Sequence, residues 1–396
     1  MNIQQKFSDK VASLNPSAIR EVFKLLGKPG IISFAGGAPA AEGFPISALS
    51  DISKRILRDN GGVALQYSVT EGYPPLREWV AARLGQQEIG GDSDETIIVS
   101  GGQQGIDLAS HSLLNAGDAV ICEEPSFVGG LNAFRSYNAE IVGAPMEPDG
   151  MDVAAVERIL KEKTNVKFIY TIPTFQNPTG ITMSLEKRKK LLALAKEYDV
   201  LIMEDNPYGE LRFDGEEIPT IKSMDTDGRV IYVGSFSKIL SPGLRVGFVC
   251  AHKALVDRMV VCKQTSDVHT SVFAQMLIHE FVTQHSIDEH IENLRALYRR
   301  RCRRMVECIQ HYFPDEVTFT RPQGGLFIFC TMPKGIDARD IVKKALEKNV
   351  AFIPGATTMI DDTKVYSTFR LNYSNMSSEK IELGIKLLGN VLWNEF

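Results

Sequence analysis

Short apolar runs recur along this 396-residue chain, and segments with helical periodicity separate them. "TIIVS", "DAVICE", "AEIVGA", "VKFIYTIP", "DVLIMED", "RVIYVGS" and "VGFVCA" all read as strands. Several are apolar without a break, as strands covered on both faces require. Between them lie stretches such as "LEKRKKLLALAKEYD", which carry a helical pattern. Strand and helix in alternation predict an α/β fold: a mainly parallel sheet wrapped by helices. Such sheets bind ligands beyond the carboxyl ends of their strands, so the residues after each run are the candidates.

The pattern changes after about Asp288, where a long charged helical stretch leads to "VTFTRPQGGLFIFCTMP", "VAFIPG" and "FRLNYS". A second, smaller α+β domain is expected there. The arginine-rich "LYRRRCRRM" (297–305) lies inside the helical pattern and reads as a solvated or salt-bridged face. Net charge is −5, which argues against nucleic acid and anionic membrane as partners. No run approaches the ~18 apolar residues of a membrane helix, and the N-terminus lacks a signal-peptide core. The six cysteines form no C-x-x-C pair and suit free thiols in a reducing cytosol. His279, His285 and His290 lack the i, i+4 spacing of a metal site, so no metal is expected. No G-x-x-x-x-G-K-[ST], G-x-S-x-G or post-strand G-x-G-x-x-G occurs.

Each strand end carries a chemical signal that also has a plainer reading. "GGQQG" (101–105) opens a helix whose free amides favour an anion such as phosphate, although many helices start with glycine. Phe127, in "EPSF", offers a flat ring for stacking, although by itself such a phenylalanine is more often a core residue. Asn177, in "TFQNPTG", precedes a proline and offers a donor, or simply marks a turn. Asp205, in "DNPYG", ends a buried strand and needs a cation, either a protein arginine or a protonated ring nitrogen. Tyr208 adds a phenol three residues on.

"SFSKILSPGLRVGF" (235–248) is the most specific stretch. Lys238 follows a buried strand, among Ser235, Ser237 and Ser241, with Arg245 seven residues later. A lysine held there has a depressed pKa and a nucleophilic amine, while the hydroxyls and Arg245 suit a phosphate. Taken together, the strand ends ask for a phosphate, an aromatic ring, a basic ring nitrogen, a ring hydroxyl and an aldehyde. Pyridoxal 5'-phosphate carries all five.

With "SFSKILSPGLRVGF", "QNPTG", "EDNPYG" and "GGQQG" in this order, the chain resembles the fold type I pyridoxal phosphate-dependent aminotransferases of class I/II. It is most similar to the group that holds the 2-aminoadipate and kynurenine aminotransferases and the aminotransferase-like domain of MocR-type regulators. The resemblance implies a large cofactor-binding domain over 46–287, a small C-terminal domain over 288–396, and an N-terminal segment, 1–45, packed with the small domain and the active site. It implies that Lys238 forms the Schiff base and shuttles the proton, and that Asp205 keeps the pyridine nitrogen protonated. Asn177 and Tyr208 would hold the ring hydroxyl, and Phe127 would stack where relatives often carry tyrosine. Gly102, Gln103, Ser235, Ser237 and Arg245 would hold the phosphate. Arg370, in "FRLNYS", would grip the substrate α-carboxylate, with Asn177 and Gly37 beside it. Tyr67 would reach the phosphate of a neighbouring subunit, which makes a homodimer with shared sites the expected partner state. Arg20, in "PSAIREVFKLL", would read an acidic side chain.

The expected activity is cytoplasmic transfer of an amino group from an L-amino acid (2-aminoadipate, glutamate, aromatic or branched-chain) to a 2-oxo acid such as 2-oxoglutarate, with ping-pong kinetics. A β-lyase or decarboxylase on the same scaffold would share the cofactor contacts. A non-catalytic pyridoxal phosphate-sensing domain would follow a winged helix, for which the start of the pattern within the first 20 or so residues leaves no room. The missing G-x-G-x-x-G counts against a nicotinamide oxidoreductase.

Overall fold

A computed structural model describes residues 3–8 and 30–395. Eight strands form the central sheet: β2 (Asp94–Val99), β3 (Ala119–Glu124), β4 (Glu140–Glu147), β5 (Gly150–Met151), β6 (Val166–Thr171), β7 (Leu201–Asp205), β8 (Val230–Ser235) and β9 (Gly247–His252). Their order is β2-β9-β8-β7-β6-β3-β4-β5. The interior pairings β8-β7, β7-β6, β6-β3 and β3-β4 are parallel. β9 is antiparallel to both β8 and β2, and β5 is antiparallel to β4. The sheet is therefore mainly parallel, in the α/β class expected. Burial explains the unbroken apolar runs: Ala119 to Cys122 of β3 and Phe168 to Tyr170 of β6 are fully covered, with helices on both faces.

Two short strands tie the stretch around residues 30–35 to the C-terminal part. β1 (Ile32–Ser33) runs parallel to β12 (Val350–Ala351). The amide of Phe34 donates to Ala351 O at 2.7 Å, and that of Asn372 donates to Phe34 O at 2.9 Å. A second sheet, all antiparallel, has the order β10 (Thr318–Phe319), β11 (Phe327–Thr331), β14 (Thr368–Asn372), β13 (Ile353–Pro354).

The helix Ile287–Tyr312 joins the two parts. Ser286 caps it by accepting from Glu289 N, and Asp288 and Glu289 sit favourably in its first turn. Most of its arginines are engaged with neighbouring protein. Arg295 and Arg299 donate to the carbonyls of Glu210 and Phe213, each at 2.8 Å. Arg301 bonds Ser374 O and Glu42, and Arg304 pairs with Glu382 at 2.6 Å. The run at 297–305 is a bonded face. The turn it reaches, 211–214, meets the strand approaching β11 through an Arg212–Gly324 bridge and a Phe213 N to Gln323 O bond. All six cysteines are free, five of them buried. Among the described residues no helix is long and apolar enough to cross a membrane, and no cluster of side chains could hold a metal ion.

Candidate active site

The parallel strands end together, and a cavity of about 360 Å³ opens beyond them. Gly37, Gly102, Gln103, Phe127, Asn177, Asp205, Tyr208, Ser235, Ser237, Lys238, Arg245 and Arg370 all line it. Three permanent or potential cations, Lys238, Arg245 and Arg370, thus face one carboxylate, Asp205. That balance favours anionic ligands.

One end is an anion cradle. The helix Gly102–Leu113 begins there, and its first amides lack intrahelical partners. Gly101 enters the helix with φ +84°, a conformation that favours glycine. A Cβ at Gly101 would also lie 2.5 Å from Arg245 Nη2, so the missing side chain makes room for the guanidinium. Arg245, itself at φ 54°, donates to Ser100 O at 3.2 Å. Gly247 lets β9 run close by, since a Cβ there would meet Gly101 C and Gly102 N at 2.8 Å. Ser235 and Ser237 complete the wall, with Ser237 N donating to Ser235 Oγ at 3.1 Å. Ser241 does not line the cavity; it precedes the turn Pro242–Leu244.

Asp205 closes β7 and is 4% exposed. The sequence predicts a cationic partner. Among the described residues no arginine or lysine pairs with it; the Tyr170 hydroxyl donates to it instead, at 2.8 Å. Burial pushes its carboxyl up to about 7, opposed by that hydrogen bond and raised further by the charge of Glu123. A carboxylate so placed lacks a full counter-charge, and a protonated ring nitrogen supplies one.

Lys238 Nζ donates to Gly37 O at 2.9 Å. Burial pulls its ammonium down to about 8, and the charges of Arg370 and Arg245 add to the shift. The neutral, nucleophilic amine is therefore accessible near neutral pH.

Arg370 projects from β14 and is 8% exposed. Its Nη1 donates to Asn177 Oδ1 at 2.7 Å and its Nη2 to Ala35 O at 2.5 Å. The guanidinium lies over the Phe327 ring, 4.2 Å from the centroid. Its Nε is buried without a partner, and burial lowers its pKa to about 10. A buried guanidinium with no carboxylate is an acid-seeking group. Asn177 Nδ2 approaches the Tyr208 hydroxyl at 3.5 Å, and the Tyr208 ring meets Phe327 edge-on at 5.7 Å.

Two expected residues stand apart. Tyr67 lies outside the cavity lining, 81% exposed, with its ring against His269. Arg20 lies outside the described residues. Several lining residues were not foreseen, among them Ile353, Thr358, Ile172 and Val128. Nor was Tyr170, whose place inside "VKFIYTIP" marks it as core; its hydroxyl, one residue from the strand's end, is the signal that was available.

The fit to pyridoxal 5'-phosphate rests on this donor set. The cradle suits a phosphate, Asp205 a ring nitrogen, Asn177 and Tyr208 a ring oxygen, Phe127 a ring face and Lys238 an aldehyde. Comparison with known proteins agrees. The family model for aminotransferase class I and II matches residues 31–388. The chain is 40% identical to aromatic-amino-acid aminotransferase 1 of Thermococcus litoralis, across all of this chain and 96% of the relative. It is likewise 40% identical to the 2-aminoadipate transaminase of Thermus thermophilus, over 98% of this chain and 96% of the relative. The crystal structure of α-aminoadipate aminotransferase from Thermus thermophilus, complexed with N-(5'-phosphopyridoxyl)-L-leucine, superposes with a TM-score of 0.91. That pair shares 38% identity and covers 100% of this chain and 99% of the other. The chain belongs to the class I and II aminotransferases and uses pyridoxal 5'-phosphate.

Proposed function

We propose that this pyridoxal phosphate-dependent aminotransferase takes its amino group from L-amino acids with aromatic, branched-chain or acidic side chains, 2-aminoadipate and glutamate among the last. The acceptor is a 2-oxo acid, 2-oxoglutarate foremost, and the two half-reactions alternate at one site. The observation that carries this reading is Arg370, buried in the cavity of Lys238 with an unpartnered Nε. The relatives act, by their names, on aromatic amino acids and 2-aminoadipate.

The bound cofactor supplies an aldehyde for amine capture and an electron-withdrawing ring. The chain does the rest. The Gly102 and Gln103 amides, Ser235, Ser237 and Arg245 anchor the phosphate end. Asp205, steadied by Tyr170, holds a proton at the ring nitrogen. Asn177 and Tyr208 orient the ring hydroxyl, and Phe127 covers a ring face. Arg370 grips the α-carboxylate and so aims the substrate Cα–H at Lys238. Lys238 Nζ, neutral above about pH 8, takes that proton and returns it on the far side of the transfer. The apolar walls at Ile353, Val128 and Ile172 suit hydrophobic side chains, and Arg20 serves acidic ones. Tyr67 completes the phosphate site of a second subunit in a homodimer. Residues 46–287 act as the cofactor-binding unit and 288–396 as the small domain, with which the N-terminal segment is expected to pack at the active site, in the cytoplasm.

The test is to load the purified chain with pyridoxal 5'-phosphate and offer a panel of amino acids with 2-oxoglutarate. Stoichiometric glutamate and 2-oxo acid from phenylalanine, leucine or 2-aminoadipate are expected. Release of ammonia or carbon dioxide without glutamate would assign a lyase or decarboxylase instead.

A further inference from the structure

Glu123 is a carboxylate the mechanism does not use. It sits near the end of β3, is 1% exposed, and does not line the cavity. Among the described residues no cation pairs with it. It accepts from Thr171 Oγ1 at 2.5 Å, from Ile172 N at 3.2 Å and from Gln176 Nε2 at 3.1 Å. A buried carboxylate held only by neutral donors is costly, and a glutamine would fill the same volume.

The difference between the two side chains is that the carboxylate carries charge and, when ionised, offers no donor. Burial raises the Glu123 carboxyl to about 7; above that pH it only accepts, so it draws Gln176 Nε2 inward. Nε2 also donates to Pro125 O at 2.9 Å. The Gln176 Oε1 must then face the other way, where it accepts from Thr179 N at 2.8 Å and Thr179 Oγ1 at 2.7 Å. The turn is closed by Gly180 N to Gln176 O at 2.6 Å and Gln176 N to Ile181 O at 2.8 Å. Asn177 rides on this turn and receives Arg370 Nη1. With an amide at 123 the charge on that acceptor is lost; Pro125 O and Thr179 N still favour the same orientation, but the bond that draws Nε2 inward is weaker and Thr179 is held less firmly.

We propose that Glu123 is a positioning residue for the substrate-carboxylate grip: acting through Gln176, it locks the 176–180 turn so that Asn177 holds Arg370 in place. The proposal rests on the reading of Arg370 as the carboxylate grip, and its test separates the two.

The probe is 3-phenylpropanoate, a carboxylate without an amine, titrated calorimetrically into the holoenzyme. Glu123→Gln and Gln176→Ala should each weaken it by roughly fivefold to tenfold, and Gln176→Ala, which leaves the charge of Glu123 beside Asp205, should keep the cofactor's visible spectrum unchanged. The double variant should bind no worse than the weaker single, because one residue acts through the other. Thr179→Val, a milder change, should weaken binding about twofold and decides the matter if Glu123→Gln does not fold. Wild-type affinity in folded Glu123→Gln, or losses that multiply in the double variant, would overturn the proposal. Arg370→Lys is the control. If it loses affinity while Glu123→Gln does not, only the positioning role fails; if it binds normally, the reading of Arg370 fails and takes this proposal with it.

Discussion

The two walls of the cavity are built differently. The wall from the large sheet is pre-bonded: Ser237 N is held by Ser235 Oγ, Asp205 by Tyr170, and Arg245 by the Ser100 carbonyl. The wall from the small sheet and the stretch around Gly37 leaves bonding capacity unused. Arg370 on β14 has an unpartnered Nε that is buried at the cavity. A wall that holds a resident group through every turnover profits from fixed donors. A wall that receives a changing amino acid needs donors left free for it.

Breaking the cofactor wall should therefore abolish chemistry, while breaking the substrate wall should change affinity. The largest effect is expected at Lys238, since no other lysine among the described residues lines the cavity. Lys238→Ala should lower kcat by about 10⁴-fold or more, measured by single-turnover kinetics. Asp205→Asn comes next. It should fold, keep its KM within about twofold, and lose about 10²- to 10³-fold in kcat because the ring nitrogen no longer keeps its proton. Near-normal single-turnover rates would erase the asymmetry on that side.

On the substrate wall, Arg370→Lys should raise KM for every amino acid by about ten- to a hundredfold, since a point charge does not replace a bidentate fork. Arg20→Ala sharpens the same contrast. It should raise KM for glutamate and 2-aminoadipate by roughly tenfold and leave leucine and phenylalanine unchanged. Equal effects on acidic and apolar donors would remove Arg20 from side-chain recognition.

The smallest effect is in stability. Folding lowers the Lys238 pKa from 10.5 to about 8. Between those values the unfolded chain binds more protons than the folded one, so this group's contribution to stability rises with pH across that window. Below about pH 8 the cofactor-free protein carries a buried ammonium at a cost. Cofactor-free Lys238→Met should then melt about 2–4 °C higher than wild type at pH 7, with the gap closing by about pH 10.5. A gap that does not vary with pH would mean the lysine is already neutral or fully solvated.

The two walls also differ in how legible they are. The cofactor wall is written in contiguous stretches, because strand ends carry their ligands a few residues on. "SFSKILSPGLRVGF" supplies Ser235, Ser237, Lys238 and Arg245 together, and "DNPYG" supplies Asp205 and Tyr208. Gly37, Ile353, Thr358 and Arg370 come from separate segments, joined only by pairing β1 with β12 and β13 with β14. Resemblance named Gly37 and Arg370; nothing local marks Ile353 or Thr358. Tyr170 escaped because periodicity reports that a side chain is buried, not that its hydroxyl meets Asp205 across the β6-β7 register. The antiparallel β9 between β2 and β8 was equally hidden, since strand order follows from crossovers rather than from any apolar run.

The central claim is that the strand-end cradle captures pyridoxal 5'-phosphate at one lysine. The direct measurement is to load the protein with the cofactor, reduce it with borohydride, digest it and map the added phosphopyridoxyl mass. The account predicts one modified site per chain, Lys238, and none after Lys238→Ala. Modification centred on any other lysine, or equal labelling of the Lys238→Ala variant, would contradict it.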